Sequence, residues 1–134
     1  MLERQVANET NLIVIGDFGY INGTDSHSEQ TDLGLVVEKR TNQLNYDFIV
    51  TVGDNFYPFG LDNDTDSRAD IVFENTFKMS SLNLDWYAVL GNHDLMGDMS
   101  AALNLGQRFP LWKQTEPYYS KYNHLNNVPS KLNP

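Results

Sequence analysis

The chain contains no cysteine in its 134 residues. Disulfide frameworks, thiolate zinc sites and cysteine nucleophiles are therefore excluded, and a cysteine-free domain is compatible with any compartment. Cations are scarce too. Nine Lys and Arg stand against eighteen Asp and Glu, a formal net charge of −9 at pH 7. So few positive charges cannot neutralise a track of nucleic-acid phosphates or an anionic lipid surface, so neither nucleic acid nor membrane is expected as a partner. A small phosphorylated substrate remains open, because a metal ion can supply the positive charge that the side chains lack. No apolar run is long enough to span a bilayer. The stretch Met1 to Thr10 is polar and lacks an apolar segment, so no signal peptide is expected in this chain. Asn-x-Ser/Thr sequons at Asn8, Asn22 and Asn63 arise easily in a chain so rich in Asn and carry little weight.

What is present is enough apolar material for one core. Apolar residues make up 40% of the chain, which argues against bulk disorder, and the length fits a single domain over 1–134. Three short runs stand out: Leu12 to Ile15, Phe48 to Val52 and Trp86 to Leu90. Each is β-branched or aromatic and nearly continuous, the pattern of strands buried on both faces. Between them lie segments of helical spacing. Leu33, Val36, Val37 and Leu44 mark the first, with Thr31 and Asp32 at its start; Ile71, Phe73, Phe77 and Leu82 mark the second, with Ser67 as its cap. The stretch Asp62 to Ser67 reads as an exposed acidic loop before that helix, Tyr118 to Tyr122 as a further strand, and Tyr122 to Pro134 as a frayed end or linker. The order β-α-β-α-β predicts an α/β fold with a parallel sheet and right-handed crossovers. Sites in such folds sit at the carboxyl ends of the strands.

Those ends carry the chemistry. The three runs stop at Gly16-Asp17-Phe18-Gly19, Gly53-Asp54-Asn55-Phe56-Tyr57 and Gly91-Asn92-His93-Asp94. Taken singly, each is a tight glycine turn with a polar residue that caps the next segment, and His93 alone is an ordinary turn histidine. Taken together they bring two carboxylates and a carboxamide to one edge of the sheet. Converging like charges need a cation, and hard oxygen donors select hard ions such as Fe(III), Mn(II) or Mg(II).

The ordered set G-D-x-G, G-D-N-x-Y, G-N-H-D resembles the first three motifs of the calcineurin-like metallophosphoesterases. The Tyr three residues after the second Asp is similar to the purple (tartrate-resistant type) acid phosphatases. The likeness runs from Asn11 to about Tyr122. It implies the first half of a four-layer α-β-β-α sandwich, incomplete at the C-terminus. It implies Fe(III) plus a second divalent ion, Fe, Zn or Mn. In that reading Asp17 binds the ferric ion, Asp54 bridges both ions, Tyr57 binds iron as phenolate, and Asn92 binds the divalent ion. His93 hydrogen-bonds the phosphate and protonates the leaving alcohol, while Asp94 orients His93. The activity implied is acid phosphatase: hydrolysis of phosphate monoesters by a metal-bound hydroxide at a dinuclear centre. A secreted or lysosomal location is implied by the family alone.

One part of the pattern is missing. The family also draws histidines from a lone-His loop and a G-H-x-H loop, whereas this chain has only His27, His93 and His124 and no G-H-x-H. His27 and His124 read as solvated loop residues. Removing the second sheet of the sandwich leaves one face of the first bare, an aggregation liability or an interface. Two readings are consistent with this: a truncated phosphatase, poor or inactive alone, or a non-catalytic metal- or phosphate-binding half-domain that needs a partner or the missing C-terminal half over its bare face. A third, hydrolysis of diesters or nucleotides, is disfavoured by Tyr57.

Overall fold

The structure is a computed structural model that describes residues 10–20 and 29–120. Three strands, β1 (Leu12–Ile15), β2 (Phe48–Thr51) and β3 (Asp85–Tyr87), form a parallel sheet in the order β1-β2-β3. Helix α1 (Glu29–Gln43) connects the first two. Helix α2 (Ser67–Asp70) runs on into a π-helical segment, Ile71–Thr76, and α3 (Met79–Leu82) completes the second crossover. After β3 come a 3₁₀ turn, Asp94–Met96, and α4 (Met99–Arg108). The expected α/β fold with its β-α-β-α-β parallel sheet is therefore present. No helix among the described residues is long and apolar enough to cross a membrane.

The register puts Ile13 beside Ile49 and Trp86, and Ile15 beside Thr51. In-register neighbours of a parallel sheet share a face. This face is the covered one: Ile15, Ile49, Thr51 and Trp86 are buried under the second crossover. Phe73 and Phe77 reach down from it, with ring centroids 5.8 and 5.2 Å from that of Trp86. Phe18 meets Phe77 edge-on at 5.4 Å, which ties the loop after β1 to the same cluster. Val37 of α1 joins this core, with Leu33 packed at its margin.

The opposite face corrects the expectation of strands buried on both sides. Leu12, Val14, Val52 and Val89 are 41%, 56%, 59% and 43% exposed, and Phe48 and Tyr87 stack edge-on across the open surface. Both crossovers lie on one side of the sheet, so nothing among the described residues covers the other. The apolar runs are continuous because both faces are built of apolar side chains, not because both are covered here.

Smaller differences have local causes. The helix after the acidic loop is capped by Asp66, whose carboxylate accepts from the Arg68 N–H, so Ser67 is the first helical residue and not the cap. Helix α1 begins at Glu29, which puts Thr31 and Asp32 inside its first turn. The loop Asp62 to Thr65 is exposed as expected, while Asp66 is half-buried. The loop is pinned by Arg68 against Asp62 and Asp66, and by Arg108, which donates to the carbonyls of Asp64 and Asp66 and to the Asp70 carboxylate. Tyr118 and Tyr119 are not in a strand. Tyr118 is 87% exposed, and Tyr119 donates its hydroxyl to the Ala88 carbonyl. Instead, the chain near Trp112 bridges alongside β3, with Trp86 N donating to Leu111 O and Lys113 N to Trp86 O. The stretch 121–134 and His124 lie outside the described residues, as do His27, Asn8 and Asn22.

Candidate metal centre

The three strands deliver their polar turns to one edge of the sheet, and backbone hydrogen bonds stitch the turns together. Val52 N donates to Ile15 O, Asp17 N to Gly53 O and Tyr57 N to Gly19 O. Asp17 and Asp54 follow β1 and β2 within two and three residues, and both adopt left-handed backbone with φ of 53°. Asp is among the few non-glycine residues that tolerate this conformation, and such strain collects at functional sites. It turns both carboxylates the same way.

Gly53 and Gly91 let the β2 and β3 turns close on one another. Gly53 has φ of +103°, and a methyl added there would meet the Gly91 backbone at 3.0 Å. A methyl added at Gly91 would fall 2.1 Å from Asp54 Oδ1 and 2.3 Å from Asp54 N. Only a residue without Cβ fits beside that carboxylate.

Tyr57 completes the cluster. Its hydroxyl donates to Asp17 Oδ1 at 2.8 Å and lies 3.2 Å from Asp54 Oδ2. Burial, the hydrogen bond to Asp17 and the negative charges of Asp54 and Asp17 push the phenol well above the usual tyrosine range. Without a cation, the shared proton holds three oxygens together. A cation bound among these oxygens would offset the carboxylate charges and favour phenolate. The donor set fits a hard ion: three oxygens converge, and none is soft. Among the described residues no three His, Cys, Asp or Glu form such a group; the cluster is two carboxylates and a phenol.

The third turn brings up Asn92, exposed beside Gly91, and His93, half-buried. The His93 backbone N–H donates to Asp54 Oδ1 at 2.9 Å, leaving Asp54 with one oxygen toward Tyr57 and one toward the β3 turn. The His93 ring packs on the Tyr57 ring with centroids 4.3 Å apart. Its Nδ1 lies 2.6 Å from the Pro58 carbonyl oxygen.

Asp94 does something other than the expected orienting of His93. It is 1% exposed, and its carboxylate accepts from the backbone N–H groups of Asn55, Phe56 and Gly91 and from the Asn55 side chain. Burial pushes its carboxyl up, against the opposing pull of these donors. Its work is to tie the β2 turn to the β3 turn. Sequence reasoning missed Asn55, which is fully buried and also donates to Val89 O. Its one available signal was an amide beside a ligand Asp in a glycine turn. No signal marked the Pro58 carbonyl, because a main-chain oxygen has no letter in the sequence.

The parallel sheet thus gathers Asp17, Asp54, Tyr57 and the Asn92-His93 pair at its strand ends. Residues 3–133 match the calcineurin-like phosphoesterase family, and the chain belongs to that family. It is 32% identical over 115 residues to the rat tartrate-resistant acid phosphatase type 5, covering 84% of this chain and 35% of that protein. It is 38% identical over 94 residues to purple acid phosphatase 7 of Arabidopsis thaliana, covering 70% of this chain and 27% of the relative. The chain thus spans about a third or less of the length of these relatives. Among solved structures it superposes on GAP50, described as the anchor in the inner membrane complex of Plasmodium. The TM-score is 0.58 at 24% identity, over 73% of this chain and 30% of that one. That likeness concerns the fold.

Proposed function

We propose that the chain carries the front half of a phosphate-monoester hydrolase centre of the acid phosphatase type. The observation that supports this best is the Tyr57 hydroxyl placed between Asp17 and Asp54. In this reading Asp17, Asp54, Tyr57 and Asn92 hold Fe(III) and a second divalent ion, Fe, Zn or Mn. When bound, such ions supply Lewis acidity, which neutralises a phosphate ester and acidifies water. The side chains do the rest. Asp54 joins the β2 and β3 turns at one carboxylate. Tyr57 exchanges its proton for a cation. His93, packed on Tyr57, donates as its imidazolium a hydrogen bond to the phosphate and a proton to the leaving alcohol.

The test is a visible absorption spectrum of the chain loaded with ferric ion, beside Tyr57→Phe. A tyrosinate charge-transfer band present in the first and absent in the second is the expected result. A folded chain with no band defeats the iron assignment.

A second reading, a non-catalytic half-domain completed by another chain or segment, is favoured by the bare face of Leu12, Val14, Val52 and Val89. The two readings separate on the downstream reading frame. A continuation carrying G-H-x-H supports the first. Metal binding by a chain with no such continuation supports the second.

A further inference from the structure

We propose that the backbone carbonyl of Pro58 is the positioning group for His93, fixing the neutral imidazole as its Nδ1–H tautomer and leaving Nε2 as the nitrogen that faces outward. The Nδ1 to Pro58 oxygen distance is 2.6 Å. A carbonyl oxygen can only accept, so the proton of this bond belongs to Nδ1. The carboxylates that could compete for the ring are already engaged. Asp94 gives its oxygens to Asn55, Phe56 and Gly91. Asp54 Oδ1 takes the His93 backbone N–H and Oδ2 lies by the Tyr57 hydroxyl.

The Tyr57 ring, 4.3 Å from the imidazole centroid, restrains the remaining rotation. Tyr57 and Pro58 are adjacent in sequence, so one short stretch places both the ligand oxygens and the imidazole. A histidine held by one nitrogen presents the other in a defined direction, which is what a proton-transferring group requires. That Nε2 is the atom meeting a phosphate ester rests on the phosphatase reading above; the tautomer does not.

The experiment is ¹⁵N–¹H long-range correlation NMR on the full chain, chelator-treated and at a pH where the ring is neutral. Sequential assignment picks out His93, and the same chain in urea supplies the unrestrained reference. The expected result is a protonated-type shift at Nδ1 and an unprotonated-type shift at Nε2. A pattern with the proton on Nε2 overturns the proposal, as does an averaged pattern equal to that in urea. Because no metal or substrate is present, the outcome is independent of catalysis. A chain with no ferric charge-transfer band but with Nδ1–H retained sinks only the iron phosphatase reading, and a band with Nε2–H sinks only this one.

Discussion

The Tyr57 hydroxyl and the Asp17 carboxylate, 40 positions apart in sequence, meet at 2.8 Å across the ends of β1 and β2. The contact joins a strongly proton-retaining phenol to one carboxylate, and a second, Asp54, lies on the other side of that phenol. Tyr57→Phe removes the donor and leaves the two carboxylates facing each other unscreened. The expected outcome is at least a tenfold loss of ferric affinity, read by competitive chelator titration. Thermal stability should change little, because like charges near the surface interact at only about 1 kcal/mol or less.

Asp94→Ala strips a buried acceptor from three backbone N–H groups and one side-chain amide. Each buried donor left unpaired costs roughly 1–3 kcal/mol. The variant should lose at least ~3 kcal/mol in urea unfolding. Asp94→Asn, which keeps one acceptor oxygen, should lose less. Equal stability of Asp94→Ala and the parent chain would contradict the tie between the β2 and β3 turns.

Gly91→Ala tests the close approach of those turns. Its methyl would sit 2.1 Å from Asp54 Oδ1 and 2.3 Å from Asp54 N, which is backbone and cannot swing away. Overpacking of this kind costs about 1–3 kcal/mol. The expected result is a fall in melting temperature accompanied by loss of metal binding, measured on the same sample by differential scanning fluorimetry with and without ferric ion.

The two faces of the sheet should answer substitution differently. Ile49 is fully buried and Val14 is 56% exposed, one residue away in the register. Ile49→Ala should cost about 2–5 kcal/mol and Val14→Ala about 0.5 kcal/mol or less in denaturant unfolding. Losses of similar size would mean that the open face is covered in solution.

Asp66 supplies a pH signature. Burial works against its charge, yet the Arg68 side chain and the N–H groups of Asp62 and Arg68 hold it from an ordinary 3.8 down to about 2. A carboxyl depressed in the folded state contributes stability above its unfolded value and loses it as pH falls through the folded one. The loss should be on the order of 2 kcal/mol across that window. Acid titration of stability should show it in the parent chain and flatten in Asp66→Asn, which keeps an acceptor oxygen for the cap.

The strands and their terminal turns were legible because each is local. Leu12 to Ile15 and Phe48 to Thr51 are strands where the apolar run stands, and the Gly-Asp pairs come directly after. The cap was misplaced by one residue because Asp66 and Ser67 are both good caps, and it is the Asp66 carboxylate that takes the Arg68 backbone N–H. Tyr118 and Tyr119 carry strand propensity but join no strand, while Trp112, with no flanking pattern, bridges to Trp86. Propensity cannot report whether a free edge is there to receive a segment.

The sequence by itself determined the parallel α/β order, the three turns at strand ends and the oxygen chemistry of their residues, since each depends on neighbours within a few positions. The tertiary structure decided which partner each polar group takes. It gave the Asp94 carboxylate to Asn55, Phe56 and Gly91, gave the His93 ring to the Pro58 carbonyl, and left one sheet face open. These outcomes depend on how segments some forty positions apart come to rest, and a carbonyl oxygen or an uncovered face exists only once they have done so.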